Sequence, residues 1–218
     1  MLCFCATSFA GTLFQFSEDS LIALRSNDTI QGYFYEQTGT GLFQCSFFFQ
    51  GKISGTQGEK DAKSPIKIFH TPSTYDKRLK ELDDDGYLYF IDGDWVIQSK
   101  MASSDCHSVD ANLFSATDSK GWPFSVEKKE QAYGIMTLKG KSTIFAQEKN
   151  RKVKDHLSAG EVVILLNSSG EMAHIKYKKP NDENGYTSGW IDRSNLISPL
   201  LLMISQIRSP DNFSIEYK

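Results

Sequence analysis

Val162-Val163-Ile164-Leu165-Leu166-Asn167-Ser168-Ser169-Gly170-Glu171-Met172-Ala173-His174-Ile175-Lys176-Tyr177 is the stretch on which the fold turns. Its first five residues are β-branched or apolar without a polar interruption, which predicts a buried strand. Residues 167–170 carry turn chemistry. From 172 to 177, Met172, His174 and Lys176 alternate with Ala173, Ile175 and Tyr177. A period of two predicts a strand with one buried face. Working outward, residues 133–138 and 142–146 read as strands, followed by a basic, polar loop over 147–154. On the other side, a polar loop over 178–188 leads to Gly189-Trp190-Ile191 and then Ser194-Asn195-Leu196. Five short strands in about 65 residues suit a small barrel, which leaves few exposed edges.

Residues 133–197 resemble a bacterial SH3 domain. Leu157-Ser158-Ala159-Gly160-Glu161 matches its hydrophobic-x-x-Gly-acidic turn, and residues 162–165 its apolar strand. Ile175-Lys176-Tyr177 and Gly189-Trp190-Ile191 with Leu196 match the later signatures, in the same order and spacing. Met172 stands where such domains usually have Trp, and Ser142-Thr143-Ile144-Phe145 replaces the Asn-x-Arg type of start. The resemblance implies an SH3-like barrel that binds ligand across aromatics and the loops around them. It covers about a third of the chain, and residues 11–130 show no such resemblance.

Those earlier residues also read as β. Residues 11–29 are a mixed lead-in, with a short helix expected around 18–25. Aromatic strands follow at 30–37 and 42–50, joined by Gly39-Thr40-Gly41 as a hairpin. A loop runs to Lys63 and a short strand covers 66–70, ended by Pro72. One or two helical turns are expected over 75–82, and Asp83-Asp84-Asp85-Gly86 reads as a sharp break. Residues 87–91 and 95–98 flank Asp92-Gly93, a strong hairpin signal because both turn positions must tolerate positive φ. Residues 113–116 are apolar. Residues 124–127 lead into the polar run 128–131, where a boundary is placed. The expected fold class is therefore mostly β: an N-terminal antiparallel domain, sandwich or barrel-like, over 11–130, then an SH3-like five-stranded barrel over 131–198 and a tail over 199–218.

Composition agrees. Hydrophobic residues are 39% and charged residues 23%, enough for a packed core, and 15 Phe with 9 Tyr favour sheet. Net charge is −3, which argues against nucleic acid as a partner. The charge is uneven, with 12 Lys/Arg against 18 Asp/Glu in residues 1–130 and 12 against 9 in 131–218. Residues 1–10 are uncharged and end Ser8-Phe9-Ala10, a signal-peptidase pattern, so they are read as the remnant of a leader and the protein as periplasmic or secreted. No later run reaches the ~18 apolar residues of a transmembrane segment. Without Cys3 and Cys5, Cys45 and Cys106 remain, and an even remainder in an oxidising compartment predicts one bridge.

The expected ligand-binding aromatics are Tyr133, Phe145, Tyr177, Tyr186 and Trp190, whose flat faces hold peptide or sugar at small entropic cost. Trp190 and Tyr177 have packing as their alternative role, and Tyr186, in a polar loop, is expected to be exposed. Lys149, Arg151, Lys152 and Lys154 form one basic run and Lys176, Lys178 and Lys179 another. They would attract an anionic polymer, a lipid headgroup or an acidic protein surface, the acidic half of this chain included. Asp83, Asp84 and Asp85 lack the alternating spacing of a calcium loop, there is no clustered Cys/His set, and neither metal nor cofactor is called for. Catalysis would need Cys45 with His70 or His107. Cys45, inside a strand, lacks the helix N-terminus that lowers a thiol pKa, so no catalytic residue is assigned.

The leading expectation is a non-enzymatic binding protein engaging a cell-wall peptide or another envelope protein. An inhibitor or immunity-type protein that blocks a secreted hydrolase is the alternative, and a cysteine hydrolase of the cell wall stands behind both.

Overall fold

Alternating apolar residues pair into long antiparallel strands almost throughout the computed structural model, which describes residues 10–38, 42–53, 63–71, 80–91, 93–99, 106, 109, 123–149, 151–178 and 185–200. The strands are β1 (Gly11–Phe16), β2 (Leu21–Ser26), β3 (Thr29–Gln37), β4 (Gln44–Lys52), β5 (Lys63–His70), β6 (Asp84–Ile91), β7 (Asp94–Ser99), β8 (Pro123–Phe124), β9 (Val126–Ala132), β10 (Gly134–Leu138), β11 (Ser142–Phe145), β12 (Val153–Leu157), β13 (Val162–Ser169), β14 (Met172–Lys178), β15 (Tyr186–Asp192) and β16 (Leu196–Ile197). Residues 1–9, Gly39-Thr40-Gly41, Pro72, residues 75–79, Asp92, residues 113–116 and 201–218 lie outside the described residues.

The protein is mostly β. Its first sheet has the order β8-β7-β6-β5-β4-β3-β2-β1-β9, a meander in sequence order. Its two edges are consecutive in the chain: β8 pairs with β7, placing Phe124 opposite Trp95, and β9 pairs with β1, placing Val126 opposite Phe16. Only Ser125 separates them, and its carbonyl accepts the Ser17 N–H at 3.0 Å. The sheet thus comes round on itself as a nearly closed barrel, which removes most of its unpaired edge. The second sheet, β12-β11-β15-β14-β13-β10-β16, curls as a half-barrel.

The barrel interior is filled by side chains of one parity. Phe14, Phe16, Phe34, Phe47, Phe49, Trp95 and Phe124 meet there, with Cys45, Cys106 and partly buried Val109. Trp95 is central, with ring centroids 4.8 Å from Phe14, 5.3 Å from Phe16 and 4.9 Å from Phe90. The opposite parity of β1, β2, β4 and β5 is also apolar and buried. Leu13, Ile22, Leu24, Phe48 and Phe69 form a second cluster with Ile135, Ile164 and Leu200. That cluster is where the two sheets dock. A third, with Leu138, Ile144, Val163, Ala173, Ile175, Tyr177 and Ile191, is the second sheet's own core.

Several local readings are corrected. The helix expected at 18–25 is strand β2, because Leu21 and Ala23 face the barrel interior while Ile22 and Leu24 face the second sheet. A strand buried on both faces has no period of two to read. The break at Asp83-Asp84-Asp85-Gly86 is instead the start of β6. Asp84 turns inward to accept a hydrogen bond from Ser99 Oγ, and Asp85 turns outward to Lys67 at 3.0 Å. The polar run 128–131 belongs to β9 and pairs with β1, its side chains largely exposed. The first sheet therefore runs to Ala132 and the second begins at Gly134. The loop expected over 147–154 stops at Lys152, where β12 begins beside β11. The turn placed at 167–170 is tighter, because β13 continues to Ser169 and only Gly170-Glu171 separates it from Met172.

Two glycines are required by geometry. Gly93 closes the β6–β7 hairpin with φ +97, a conformation L side chains rarely adopt. Gly189, the first residue of Gly-Trp-Ile, has no room for a side chain: a Cβ there would collide with Ile144 and lie 3.1 Å from the Phe145 carbonyl oxygen.

Candidate functional site

The docking of the two sheets leaves a cavity of about 730 Å³ between them. One wall is the outer face of β3, where Tyr33 and Tyr35 alternate with inward Phe34, together with Glu36 and the β1–β2 turn of Glu18, Asp19 and Ser20. The other wall is the turn before β13, with Glu161, plus Val162 and Ile164, Lys178 at the end of β14 and Tyr186 at the start of β15. No single segment builds the site, and neither sheet alone would enclose it.

Its chemistry is acidic and aromatic. Glu18, Asp19, Glu36 and Glu161 line it against one cation, Lys178, whose ammonium is held by Asp19 at 2.8 Å. Burial pushes the Tyr33 phenol up, with Tyr35 adding to the shift and a hydrogen bond to Ser46 opposing it. Burial also raises Tyr186, helped by the carboxylates of Asp19 and Glu130. Burial raises the Glu161 carboxyl, Asp155 adds to this, and the Ser158 N–H, 3.1 Å from Oε2, works against it. All three groups are held toward their neutral forms, chiefly by burial. Ser20 Oγ is buried in this wall without a hydrogen-bond partner among the described residues.

The aromatics expected to bind ligand are dispersed. Tyr177 is 1% exposed in the second sheet's own core, and its hydroxyl donates to Asp155 at 3.2 Å. It is a packing residue, as the alternation from 172 to 177 places it on the buried face. Tyr186 begins a strand rather than sitting in a loop and is half-buried against the docking cluster. Tyr133 is exposed between β9 and β10, outside the cavity lining. Phe145 and Trp190 are paired across β11 and β15. Trp190 is half-buried and stacks on His174 with centroids 4.9 Å apart and planes at 21°. Phe145 is itself buried, with the Arg151 guanidinium 5.4 Å from its ring.

The basic runs also divide. Arg151 pairs with Asp192 at 3.4 Å, and Lys154 donates to the Ser188 carbonyl at 2.6 Å. Both thus border the Trp190 face, while Lys149 and Lys152 are exposed. Lys176 and Lys178 turn to the acidic first half of the chain. Lys176 donates to Gln15 at 3.1 Å and pairs with Glu130, and Lys178 takes Asp19. Lys179 lies outside the described residues.

Cys45 is committed to a disulfide with Cys106, S–S 2.02 Å and Cα–Cα 4.4 Å, across a sequence separation of 61. That sulfur is no thiolate, so the Cys45–His70 pairing offers no nucleophile while the bridge stands. His107 lies outside the described residues. No set of three or more His, Cys, Asp or Glu placed to hold a metal occurs among the described residues, and no helix among them is long and apolar enough to cross a membrane.

His70 is 5% exposed beside Phe47, its Nε2 without a hydrogen-bond partner among the described residues. Burial lowers its pKa below the ordinary imidazole value, against the pull of Asp84 and Asp83. The unfolded chain therefore takes up this proton at a higher pH than the folded one. The associated stability is complete above the ordinary imidazole pKa and declines as pH falls through it toward the folded value. The urea-unfolding free energy of the parent minus that of His70→Gln should shrink between about pH 7.5 and pH 5. A difference that does not change with pH would refute this origin.

Glu18, Asp19, Tyr33, Tyr35, Glu36 and Glu161 were not foreseen as site residues. Only for Tyr33 and Tyr35 was a signal present, since their parity opposes that of Ile30 and Phe34. No family model matches the chain, no curated protein matches it, and no solved structure matches it.

Proposed function

We propose that the chain is a non-enzymatic binding protein of the cell envelope that holds a cell-wall peptide or a segment of another envelope protein between its two sheets. The observation that carries this reading is the cavity of about 730 Å³ walled by Tyr33, Tyr35 and Tyr186. Its size falls within the range of roughly 300–1,000 Å³ typical of ligand sites, and apolar walls with a few placed polar groups are what such sites use. Export is supported by the Cys45–Cys106 bridge, since structural disulfides persist in oxidising compartments. The SH3-like resemblance of residues 133–197 supports a peptide-binding rather than a catalytic role.

Co-sedimentation with purified peptidoglycan tests it. Tyr35 is 38% exposed, so Tyr35→Ala leaves the cores intact. Retention is expected to fall about tenfold in Tyr35→Ala, in line with loss of one aromatic anchor, and to survive Trp190→Ala. The reverse pattern would move the site to the Trp190–His174 face.

A second reading, inhibition of a secreted hydrolase, is favoured by one observation. Leu42 and Phe43, just before β4 and its cavity-lining residue Gln44, are 78% and 45% exposed. An apolar tip of this kind suits insertion into a partner's cleft. Leu42→Glu would then abolish inhibition of a wall hydrolase while peptidoglycan retention stays unchanged.

A further inference from the structure

We infer that the second sheet carries a further binding site around Trp190 and His174, one for an acidic saccharide, separate from the cavity between the sheets. Strand pairing sets the face. Along β14 and β15, Lys178 pairs with Tyr186, Lys176 with Ser188 and His174 with Trp190, and alternate residues of a strand share a side. The first two rows meet the other sheet, through Tyr186 in the docking cluster and Lys176 on Gln15 and Glu130. The third row carries Trp190 and His174, which belong to none of the three buried clusters and stay half-buried. Their rings stack with centroids 4.9 Å apart and planes at 21°. Among the described residues no other ring stacks on Trp190, and neither its indole N–H nor the His174 nitrogens have a hydrogen-bond partner.

A positioned cation stands beside this ring pair. The Lys154 ammonium donates to the Ser188 carbonyl at 2.6 Å and to Thr187 Oγ1 at 3.0 Å, both just before Trp190 on β15. No carboxylate pairs with it among the described residues, and its third N–H is left for a ligand. Its charge reaches the rings: after burial, Lys154 is the cause that lowers the His174 pKa. Arg151 lies 5.4 Å from the ring of Phe145, the β11 neighbour of Trp190, with its charge met by Asp192 at 3.4 Å. Lys149 and Lys152 are exposed and have no ion pair among the described residues. Glu148 and Glu171, in the flanking turns, make no hydrogen bond or ion pair to Trp190, His174 or Lys154 among the described residues. A sugar bearing an acidic group answers each of these features. Its ring stacks on the indole, its hydroxyls bond the indole N–H and a neutral imidazole that both donates and accepts, and its acidic group meets Lys154. A nucleic-acid strand needs successive exposed rings, and Phe145 is only 8% exposed, which leaves one ring pair.

Calorimetric titration of the full chain, with its disulfide intact, tests this. The probes are two acidic oligosaccharides, tetragalacturonate and a hyaluronan hexasaccharide, with methyl-esterified tetragalacturonate as the neutral match. Tripolyphosphate supplies charge without a sugar, and an oligothymidylate supplies phosphates with bases. An acidic oligosaccharide is expected to bind about tenfold more tightly than the ester, tripolyphosphate or the oligothymidylate. Trp190→Ala should abolish that binding, and Lys154→Gln, at an exposed position, should weaken it about fivefold. Raising the salt from about 0.1 M to about 1 M should weaken it too, because the screening length falls from about 10 Å to about 3 Å. The urea midpoints of both variants check that they are folded. Binding of neither acidic oligosaccharide, equal binding of the ester or of tripolyphosphate, or binding that both variants leave unchanged would overturn the inference. Tighter binding of the oligothymidylate would overturn it as well and give the face to nucleic acid. Retention on peptidoglycan through Tyr35 is read separately, so either site can fail without the other.

Discussion

Trp95→Ala is expected to lower the unfolding free energy by about 3–5 kcal/mol, the range for emptying a buried aromatic site. Trp95 is 2% exposed at the centre of the first barrel, within ring contact of Phe14, Phe16 and Phe90. These partners come from β1 and β6, so the void would open between strands on different sides of the closed sheet. Backbone hydrogen bonds around a closed barrel resist the collapse that would refill it. Against a total stability of about 5–15 kcal/mol, such a loss brings the variant near unfolding at ambient temperature. Urea titration followed by far-UV circular dichroism measures it. A loss below about 1 kcal/mol, the average for point changes generally, would show that the barrel interior is not packed around this indole.

Removing the Cys45–Cys106 bridge is the second large effect. Closing a loop across a sequence separation of 61 restrains the unfolded chain, and the chain-entropy relation puts that at about 4 kcal/mol. Both cysteines lie in the barrel's buried cluster, so the bridge also ties the segment carrying Cys106 and Val109 to the interior of β4. The double variant Cys45→Ala, Cys106→Ala should have a lower urea midpoint and a steeper slope, because an uncrosslinked chain exposes more surface when it unfolds. Adding reductant to the parent should reproduce the shift. An unchanged midpoint in both cases would show that the bridge does not constrain the unfolded state.

The two effects draw on different parts of the same architecture. Trp95 acts within the first sheet, through packing that its strand alternation provides. The bridge acts on Cys106, which lies between β7 and β8 in the chain, fastening it inside the barrel that those strands help close. The cavity between the sheets depends on neither directly. It depends on the cluster of Leu13, Ile22, Leu24 and Phe48 against Ile135 and Ile164, which sets the distance between the walls.

By itself the sequence determined the strands whose two faces differ. Ala173, Ile175 and Tyr177 face the core as their alternation requires, Gly93 sits where β6 turns into β7, and Cys45 with Cys106 follows from the cysteine count. Each of these rests on local chemistry: the pleat sends neighbouring side chains to opposite faces, and positive φ selects glycine. Only the tertiary structure decided that Leu21–Ser26 is a strand, because apolar residues on both of its faces erase the period. It alone brought Glu18, Tyr35, Glu161 and Tyr186 around one cavity and set Lys176 against Gln15, 161 residues away in the chain. Which outward face meets which depends on how the two sheets dock, and no short-range period in the chain encodes that encounter.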